Sequence, residues 1–541
     1  MTVREWLRAL EAGEEALLAR LVSLYGDDAT LLAERRSAYI RALRAFLQIY
    51  GGGEVLLTRA PGRVNLMGRH VDHRGGHVNP IALNLEVLIV AQRRDDDRVV
   101  LHNTDPQFPP REFRLREELP PQRVTADDPQ QYPALWDQWT AEQFAQRQAA
   151  GTEKDWANYL KAAAVYFQDL FREPGGTFRR QFRGMNLLVH GNVPLSAGLS
   201  SSSALFVAAA EALLALNEVH LPVMDFISHC GWGEWYVGTR GGSGDHAAMK
   251  LGRRGYISHI GCLPFTVDYV PFPPDYRVIV CDSRDQAHKA GGARNYFNQR
   301  VAAYELGFWL LQDAFPKTMA RAERLRDVNP ETLGVEVAEI YQMLKVLPER
   351  MTRAEAHARL PRRKAELEAL FAQHDEPAEG YPVRAVCLFG LAECARSRFC
   401  FDLLQRGDIA GFGELMRLSH DGDRVVTFDA SGRAHPWDPT VPDEELDELI
   451  AQQAPLHLQP GGYECSTERI DRMVDLALSV EGVVGAQLSG AGLGGSMMIV
   501  ARAEAVERVV QRMTEDYYRA YDLPPGINVC VPVEGAGVLA G

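Results

Sequence analysis

Residues 194–204 read PLSAGLSSSSA and lead into residues 203–217, an apolar stretch whose pattern predicts a buried helix. One serine would suffice for such a helix, because a single side-chain oxygen satisfies the N-cap. A helix N-terminus also favours an anion, and the glycine at position 198 would let a phosphate approach the backbone. The segment is not a Walker A loop, since no Gly-Lys-Ser/Thr follows it. It predicts a phosphate-binding loop, and the alternative left open is a flexible loop with more caps than the helix needs.

Two more glycine-rich segments carry polar side chains beside predicted strands. Residues 59–76 read RAPGRVNLMGRHVDHRGG and follow the strand-like residues 55–57. Residues 489–496 read SGAGLGGS and lie between the strand-like residues 483–488 and 497–501. Loops so rich in glycine allow a ligand to come close to the main chain. Each segment alone could be a turn, so it is the occurrence of all three loops in one chain that points to a ligand site.

The composition is that of an ordinary globular protein. Hydrophobic residues make up 46% and charged residues 24% of the 541 residues, which excludes a disordered or collagen-like chain. The net charge of −14 and the lack of a basic block argue against nucleic acid as a partner, because phosphate binding needs clustered positive charge. The eight cysteines form no CxxC pair, and no apolar run reaches the roughly 20 residues that span a bilayer. Residues 1–21 lack the apolar core of a signal peptide, so we expect a cytoplasmic protein with no membrane partner.

The length favours several domains, since about 150 residues form a typical one. Apolar residues recur at helical spacing in residues 1–50, which predicts a helical N-terminal extension. A first domain is expected over residues 51–265 and a second over residues 266–541, with a helical insertion at about residues 310–385. Strands that alternate with helices and glycine loops predict an α/β or α+β enzyme of two domains.

Taken together, the three loops resemble the three motifs of the GHMP small-molecule kinases, and within that superfamily those of the galactokinase branch. Residues 60–76 follow the galactokinase pattern APGRVNLIGEHTDYNGG without a gap. Residues 238–246, GTRGGSGDH, resemble the branch's catalytic-loop pattern G-x-x-x-G-x-x-D-Q, and residues 155–159, DWANY, resemble its W-x-N-Y helix. The resemblance implies a two-domain α+β GHMP kinase fold with mixed sheets and helices. It places the active site in the cleft between the domains, with the first two motifs and the catalytic loop in the first domain and the third motif in the second.

The resemblance implies an ATP- and Mg²⁺-dependent sugar kinase. Such an enzyme transfers the γ-phosphoryl group of ATP directly to the anomeric hydroxyl of a galactose-type sugar and gives the sugar 1-phosphate. Asp245 occupies the family's catalytic aspartate position and would accept the proton of that hydroxyl. Arg63 matches the family's arginine, which would hold Asp245 ionised and stabilise charge on the transferred group. Outside this context Asp245 would be a turn-capping residue and Arg63 a surface residue.

The second and third motifs imply the nucleotide site. The residues expected to bind ATP are Pro194, Gly198, Leu199, Ser200, Ser201, Ser202, Ser203, Gly492 and Gly494. Ser202 is the expected Mg²⁺ ligand, with Ser201 as the near alternative because four serines blur the register. The family supplies a glutamate five residues before the glycine that matches Gly238, but Gly233 occupies that place and Glu234 follows one position late. Either a one-residue shift makes Glu234 the carboxylate ligand, or the metal is held differently.

The residues expected to bind the sugar are Arg69, His70, Asp72, Gly244 and Phe297. Galactokinases have Glu-His-Thr-Asp where residues 69–72 read RHVD, so a cation that only donates replaces a carboxylate that accepts sugar hydroxyls. A guanidinium would suit an acidic sugar, because it can pair with a carboxylate through two hydrogen bonds. This substitution predicts galacturonate as a candidate substrate. The alternative is that Arg69 points outward or pairs with a neighbouring carboxylate while a neutral hexose binds.

Three short segments resemble plant-type galacturonokinases. They are His73, the FNQRV segment at residues 297–301 and the YEC segment at residues 463–465. Tyr296 joins Phe297 as a candidate to pack on the sugar ring. His246 replaces the family's glutamine after the catalytic aspartate, and could tune that aspartate or cap the following helix.

Two other functions stay open from sequence alone. The chain could be a non-catalytic galactokinase-like protein that binds sugar and ATP and regulates a partner. It could also be a GHMP kinase of another small alcohol, although Asp72 and its surrounding motif argue for a sugar. Residues 104–155, which lack strong periodicity, and residues 420–462, which contain many Asp and Pro, are predicted to be surface insertions, which the resemblance does not explain. The oligomeric state is also left open.

Overall fold

The structure is a computed structural model that describes residues 1–129, 131–195, 197–238, 240–285 and 292–539, with the side chains of residues 293 and 294 left aside. Helices and several sheets are mixed along the chain, so the prediction of an α+β fold is confirmed. Within the described ranges, no helix is both long and apolar enough to cross a membrane.

The strands are, in chain order, β1 (Leu56–Asn65), β2 (His77–Val78), β3 (Pro80–Arg93), β4 (Arg98–Asn103), β5 (Arg111–Arg114), β6 (Met185–Gly191), β7 (Tyr256–Gly261), β8 (Thr266–Pro271), β9 (Tyr276–Asp282), β10 (Val426–Phe428), β11 (Ala434–Pro436), β12 (Val483–Leu488), β13 (Ser496–Arg502), β14 (Ile527–Cys530) and β15 (Gly537–Leu539). The helices are α1 (Val3–Ala12), α2 (Glu15–Tyr25), α3 (Ala29–Tyr50), α4 (Leu115–Glu118), α5 (Ala134–Ala150), α6 (Ala157–Leu170), α7 (Ser201–Leu216), α8 (Val223–Gly233), α9 (Gly244–Lys250), α10 (Gly292–Ala314), α11 (Pro330–Leu333), α12 (Val337–Leu344), α13 (Arg353–Arg359), α14 (Lys364–Phe371), α15 (Val383–Gln405), α16 (Ile409–Asp421), α17 (Asp443–Gln452), α18 (Glu468–Leu478) and α19 (Val506–Met513).

A six-stranded sheet in the order β15-β1-β3-β6-β4-β5 carries the first glycine segment. Its neighbouring strands are antiparallel, except β4 and β6, which are parallel. Side chains alternate across β3, so that Ile89 and Ala91 enter the core with α6 and α7 while Leu88 and Val90 face α1, α2 and α3. The helices predicted over residues 1–50 are therefore confirmed, and they cover one face of this sheet.

A four-stranded antiparallel sheet in the order β12-β13-β9-β14 carries the third glycine loop. Ile279 and Ile499 on this sheet belong to the core that includes α10, α15 and α18. Val280 and Met498 belong to the core that also holds α7 and the inner face of the six-stranded sheet. The two sheets thus share one hydrophobic core.

The two regions predicted to be surface insertions contain regular structure that was not predicted, and their standing as insertions stays a prediction. Residues 104–155 include β5 at the edge of the six-stranded sheet and the 17-residue helix α5. Helix α5 gives little periodic signal because only Trp136 and Thr140 are buried along it. Residues 420–462 include the β10–β11 hairpin and α17.

The fold brings the three glycine segments into contact. The first glycine segment does not begin with a turn. Instead, β1 continues to Asn65 through a bulge at Pro61–Arg63. The amide of Arg63 donates to the carbonyl oxygen of Leu199 in the second loop at 3.2 Å. A Cβ on Gly198 would lie 3.4 Å from the carbonyl oxygen of Ser489 in the third loop, and the φ of +72° at Gly198 also favours glycine.

Candidate active site

The residues predicted to bind the sugar and to catalyse the transfer lie around one cavity. Its walls come from β1 and the loop after it, the first turn of α9, α10 and the loop between β12 and β13. The lining residues are Arg63, Asn65, Gly68, Arg69, His70, Asp72, Val78, Pro80, Gly244, Asp245, Ala248, Phe297, Gly490 and Ala491. Every residue predicted as catalytic or sugar-binding is among them, although these residues come from distant parts of the chain.

Asp245, in the first turn of α9, forms a forked ion pair with Arg63 on β1. Arg63 Nε donates to Asp245 Oδ1 at 2.7 Å, and Nη2 donates to Oδ2 at 2.8 Å. Burial alone would raise the pKa of Asp245, but the charge and hydrogen bonds of Arg63, with the hydroxyl of Ser200, lower that pKa below its usual value. The carboxylate is therefore ionised at neutral pH, and 38% of its side chain remains exposed to a ligand.

The phosphate-loop segment touches this ion pair directly. Arg63 Nη1 donates to the carbonyl oxygen of Gly198 at 2.7 Å, and Ser200 Oγ donates to Asp245 Oδ2 at 2.5 Å. Ser200 precedes α7 with a φ of +57°, which is uncommon for a residue with a side chain. Ser200 was predicted to bind ATP, but its hydroxyl lies on the predicted catalytic carboxylate. A hydrogen bond thus joins Ser200, at the start of α7, directly to the carboxylate of Asp245.

Asp72 lies beside Gly244, the residue that directly precedes Asp245. A Cβ on Gly244 would lie 3.5 Å from Asp72 Oδ2, so the glycine keeps space open beside this carboxylate. His73 Nδ1 is 3.3 Å from Asp72 Oδ1. Burial is the largest single influence and opposes ionisation of Asp72, but the hydrogen bonds and charge of His73, together with the charge of His70, outweigh it and lower the pKa of Asp72 to about 2. Asp72 therefore offers ionised oxygens that can accept hydrogen bonds from sugar hydroxyls.

Arg69 pairs with a neighbouring carboxylate, which is one of the two alternatives that the sequence left open. Its Nη2 lies 2.9 Å from Asp423 Oδ2 and donates to the carbonyl oxygen of Ser419 at 2.9 Å. Its Nη1 donates to the carbonyl oxygen of Leu488 at 2.8 Å, and the residue is 3% exposed. The positive charge of Arg69 is therefore neutralised inside the protein. The premise that this guanidinium offers a free charge to the sugar is wrong.

Two carboxylates behind the pocket were missed by sequence reasoning. Asp423 follows α16, and although burial would raise its pKa, the charges of His70 and Arg69 lower it. Glu393 on α15 accepts hydrogen bonds from the backbone amides of Gly68 at 2.8 Å and Arg69 at 3.1 Å. Both carboxylates lie far along the chain from the loop that they hold. The one signal available in the sequence was the need of a buried Arg69 for an acidic partner.

Part of the cavity wall is formed by aromatic rings. His70 stacks on Tyr463 with ring centroids 4.2 Å apart, and its ring centroid lies 6.2 Å from that of Phe297. Phe297 is half-buried and lines the cavity. The hydroxyl of Tyr296 instead donates to the carbonyl oxygen of Glu464 at 2.9 Å, and Tyr296 is not among the lining residues. Of the two aromatic candidates, Phe297 is the one that faces the cavity.

A hydroxyl and a carboxylate meet at the first turn of α7. Ser203 Oγ donates to Glu234 Oε2 at 2.9 Å and lies 3.1 Å from Oε1. Helix α8 ends at Gly233, and the 3₁₀ turn that begins with Glu234 carries this carboxylate to α7. The contact is made by Ser203, the neighbour of the predicted ligand Ser202. Hydroxyl and carboxylate oxygens are hard donors of the kind that Mg²⁺ prefers, so the donor set fits this metal.

His246 contacts the same carboxylate. Its Nε2 lies 2.9 Å from Glu234 Oε2, and the residue is almost fully buried. The side chain thus extends from α9 toward the predicted metal ligand. Of the two roles considered from the sequence, tuning of Asp245 is supported, because the charge of His246 is one of the smaller causes that lower the pKa of Asp245.

The third glycine loop contributes its first residues to the cavity. Gly490 and Ala491 line it, whereas Gly492 and Gly494, which were predicted to bind ATP, do not. A Cβ on Gly492 would lie 2.1 Å from the carbonyl oxygen of Cys465, so close approach of the backbone requires glycine there. The assignment of Gly492 and Gly494 to the nucleotide stays a prediction.

Three family models match parts of the chain. A model of the galactokinase galactose-binding signature matches residues 44–93, a model of the GHMP kinases N terminal domain matches residues 158–253, and a model of the GHMP kinases C terminal region matches residues 443–519. The chain is 27% identical over 498 residues to a galactokinase of Chloroflexus aggregans, covering 91% of this chain and 95% of that protein. It is 26% identical over 502 residues to a galactokinase of Pasteurella multocida, covering 92% of this chain and 98% of that protein.

A solved structure shares the fold. The crystal structure of Lactococcus lactis galactokinase complexed with galactose superposes with a TM-score of 0.63 at 19% identity, covering 92% of this chain and 98% of that one. The chain carries the galactokinase galactose-binding signature together with both GHMP kinase regions. These matches, and the similarity to proteins named galactokinase over most of the chain, support the galactokinase branch of the GHMP kinases.

Proposed function

We propose that this chain transfers the γ-phosphoryl group of ATP, with Mg²⁺, to the anomeric hydroxyl of galactose or a similar sugar, and so forms the sugar 1-phosphate and ADP. The observation that supports this most is the contact of the Arg63–Asp245 pair with Gly198 and Ser200. It puts an ionised carboxylate between the cavity that holds Asp72 and the helix N-terminus that is suited to phosphate. The relatives named galactokinase support galactose as the sugar.

In the proposed reaction the anomeric oxygen forms a bond to the γ-phosphorus as the bond from that phosphorus to the leaving ADP oxygen breaks. Asp245 accepts the proton of the hydroxyl. A carboxylate with a lowered pKa is a weak base, and it suffices because a loose phosphoryl-transfer transition state demands little from the nucleophile. Arg63 fixes the carboxylate with two hydrogen bonds and brings a positive charge next to the transferred group.

Glu234 and the serine hydroxyls at the start of α7, Ser202 and Ser203, would hold Mg²⁺. When bound, the metal neutralises the charge of the β- and γ-phosphates. Glu234 is oriented by the hydroxyl of Ser203 and by His246, so its carboxylate has a fixed direction before any ligand binds. The helix N-terminus adds unpaired backbone N–H groups for the phosphate oxygens.

The charges around the cavity favour a neutral sugar over galacturonate. Among the lining residues, the cations Arg63 and Arg69 are paired with Asp245 and Asp423. Asp72 adds an ionised carboxylate to the wall. The lining residues that the structure describes therefore offer no unpaired guanidinium to a sugar carboxylate, and they present one negative charge that repels it. Galactose, whose hydroxyls can donate to Asp72, fits this wall better than galacturonate does.

The test is coupled ADP release with Mg-ATP across galactose, galacturonate, glucuronate, arabinose, fucose and glucose. We expect turnover of galactose that is lost in Asp245→Asn while ATP binding is kept. Binding of ATP and sugar without ADP release would instead support a non-catalytic regulatory protein, and no sugar turnover but activity on another alcohol would change the acceptor class. Higher kcat/KM for galacturonate than for galactose would contradict the charge balance described above.

A further inference from the structure

We propose that helix α5 braces the catalytic loop, with Asp137 as the positioning residue that holds Arg240 and thereby fixes residues 240–244 directly before Asp245. The inference rests on the proposed function, because it concerns how Asp245 is placed for phosphoryl transfer. Helix α5 lies within residues 104–155, the segment that the galactokinase resemblance leaves without a role.

The guanidinium of Arg240 is bonded on each of its three nitrogens. Its Nε donates to Asp137 Oδ1 at 2.6 Å, and its Nη2 lies 3.1 Å from both the carbonyl oxygen of Asp137 and the Oγ1 of Thr140. Its Nη1 donates to the carbonyl oxygen of Trp235 at 2.8 Å. A planar guanidinium with this many partners has one direction, so Arg240 ties the loop to α5 and to the 3₁₀ turn after α8.

The part of α5 that holds Arg240 is itself anchored. Trp136 is fully buried, and its Nε1 donates to the carbonyl oxygen of Trp232 at 2.7 Å. Thr140 is fully buried one turn later, and its hydroxyl also donates to the carbonyl oxygen of Trp136 at 2.8 Å. Asp137 lies between these two residues. The Asp137 carboxylate is therefore carried by an anchored part of the helix when it binds Arg240.

A second contact forms further along the same helix, where the catalytic loop starts. A Cβ on Gly238 would lie 2.5 Å from the ring of Phe144, so the ring leaves room for glycine alone. The guanidinium of Arg147 lies over the ring of Tyr236 at 4.0 Å and donates to the carbonyl oxygen of that residue. Helix α5 thus contacts the loop at its first glycine and again at Arg240.

The loop needs such a support because of its composition. Gly241 and Gly242 are both exposed, and glycine has more conformational freedom to lose than any other residue. Asp245 follows three residues after Gly242, so a shift of this segment would move the carboxylate relative to the sugar hydroxyl. The Asp137 and Arg240 side chains are 31% and 28% exposed, and an ion pair at such a site adds little to global stability. Its removal should therefore affect the loop rather than the fold.

The kinetic test uses the full chain with Asp137→Ala, Arg240→Gln and the double variant. We expect Asp137→Ala to lower kcat by about 10- to 100-fold, the size of effect that a misplacement near 1 Å produces. KM for sugar and for ATP and the thermal midpoint should stay near wild-type values. The double variant should be no slower than the slower single variant, because both remove one interaction, and Asp137→Glu should recover part of kcat. Glu142→Ala is the matched control, since Glu142 is an exposed carboxylate of α5 whose bond is to Gln138 on the same helix.

Limited trypsin digestion gives a second readout that does not depend on turnover. Release of Arg240 from Asp137 should speed cleavage after Arg240 in Asp137→Ala and leave it unchanged in Glu142→Ala. Wild-type kcat together with an unchanged cleavage rate in Asp137→Ala would overturn the proposal. A parallel fall of kcat and thermal midpoint would also overturn it, because it would show a general structural role. If the wild type turns over no sugar, the proposed function fails, while the cleavage rates still decide whether α5 holds the loop.

Discussion

Asp423→Asn should change both the stability of the protein and its choice of sugar, because Asp423 neutralises Arg69. The two side chains are 2% and 0% exposed, and 2.9 Å separates Arg69 Nη2 from Asp423 Oδ2. Removal of one partner from a buried ion pair costs about 3–5 kcal/mol, since the other charge stays buried and unpaired. Arg69 keeps its hydrogen bonds to Ser419 and Leu488, so we expect the free energy of unfolding to fall by about 3 kcal/mol, the lower end of that range.

The same substitution would leave a positive charge at the cavity wall. A hydrogen bond to a charged partner contributes about 1.5–3 kcal/mol, and each 1.4 kcal/mol is tenfold in an equilibrium or rate ratio. The ratio of kcat/KM for galacturonate to kcat/KM for galactose should therefore rise by about 10- to 150-fold in Asp423→Asn. The direction follows from the sign of the uncovered charge, since galacturonate is an anion at neutral pH and galactose is not.

Urea unfolding gives the stability change, and coupled ADP release with each sugar gives the kcat/KM ratio. Asp471→Asn is the matched control, because Asp471 is also fully buried but pairs with His420 and bonds to Ser466 and the backbone amide of Val425 rather than to Arg69. It should destabilise the protein without changing the sugar ratio. An unchanged ratio in Asp423→Asn, or a wild-type enzyme that already prefers galacturonate, would refute the reasoning that Asp423 cancels the charge of Arg69.

Three further predictions concern the reacting groups. Asp245→Asn should lower kcat by about 10²- to 10⁴-fold with nucleotide binding retained, as measured by ADP release and nucleotide titration, and full activity would exclude Asp245 as the base. Because the pKa of Asp245 lies below its usual value, the decline of kcat/KM that comes from protonation of Asp245 should begin only below the pH range in which an ordinary aspartate titrates. Arg63→Gln removes an interaction that lowers the pKa of Asp245. It should therefore move the acid limb of the pH–rate profile to higher pH, and an unmoved limb would contradict this. Glu234→Gln should raise the Mg²⁺ concentration for half-maximal ADP release, and an unchanged Mg²⁺ dependence would remove Glu234 from the metal site.

The parts of the site that could be predicted have local signals. Helix α7 follows from an apolar run preceded by serines, and β12 and β13 follow from the strand-like residues 483–488 and 497–501. Asp245 and Arg63 were identified because each lies inside a short motif, and the structure brings them to one cavity. In each case the residues that determine the feature lie within a few positions of one another.

The parts that could not be predicted depend on contacts between distant residues. Asp423 pairs with Arg69 although more than half of the chain separates them in sequence, and no local pattern near either residue indicates the pairing. Helix α5 was missed because its attachment depends on a few buried side chains rather than on a repeating apolar face. The hydrogen bond from the hydroxyl of Ser200 to Asp245 was not predicted either, because it joins residues 45 positions apart, and the assignment of Ser200 to ATP stays a prediction.

The two segments first interpreted as insertions each supply a carboxylate to an arginine beside the active site, and the surroundings of each pair determine what it controls. Asp423 pairs with Arg69 where both are buried, so its main effect is on the local charge that a sugar meets. Asp137 pairs with Arg240 where both are partly exposed, so water screens the charge and the bond acts chiefly on geometry. Loss of Asp423 should therefore change the ratio of kcat/KM between a charged and a neutral sugar. Loss of Asp137 should lower kcat for both sugars by the same factor, because a displaced Asp245 accepts the proton of the anomeric hydroxyl less effectively from either sugar.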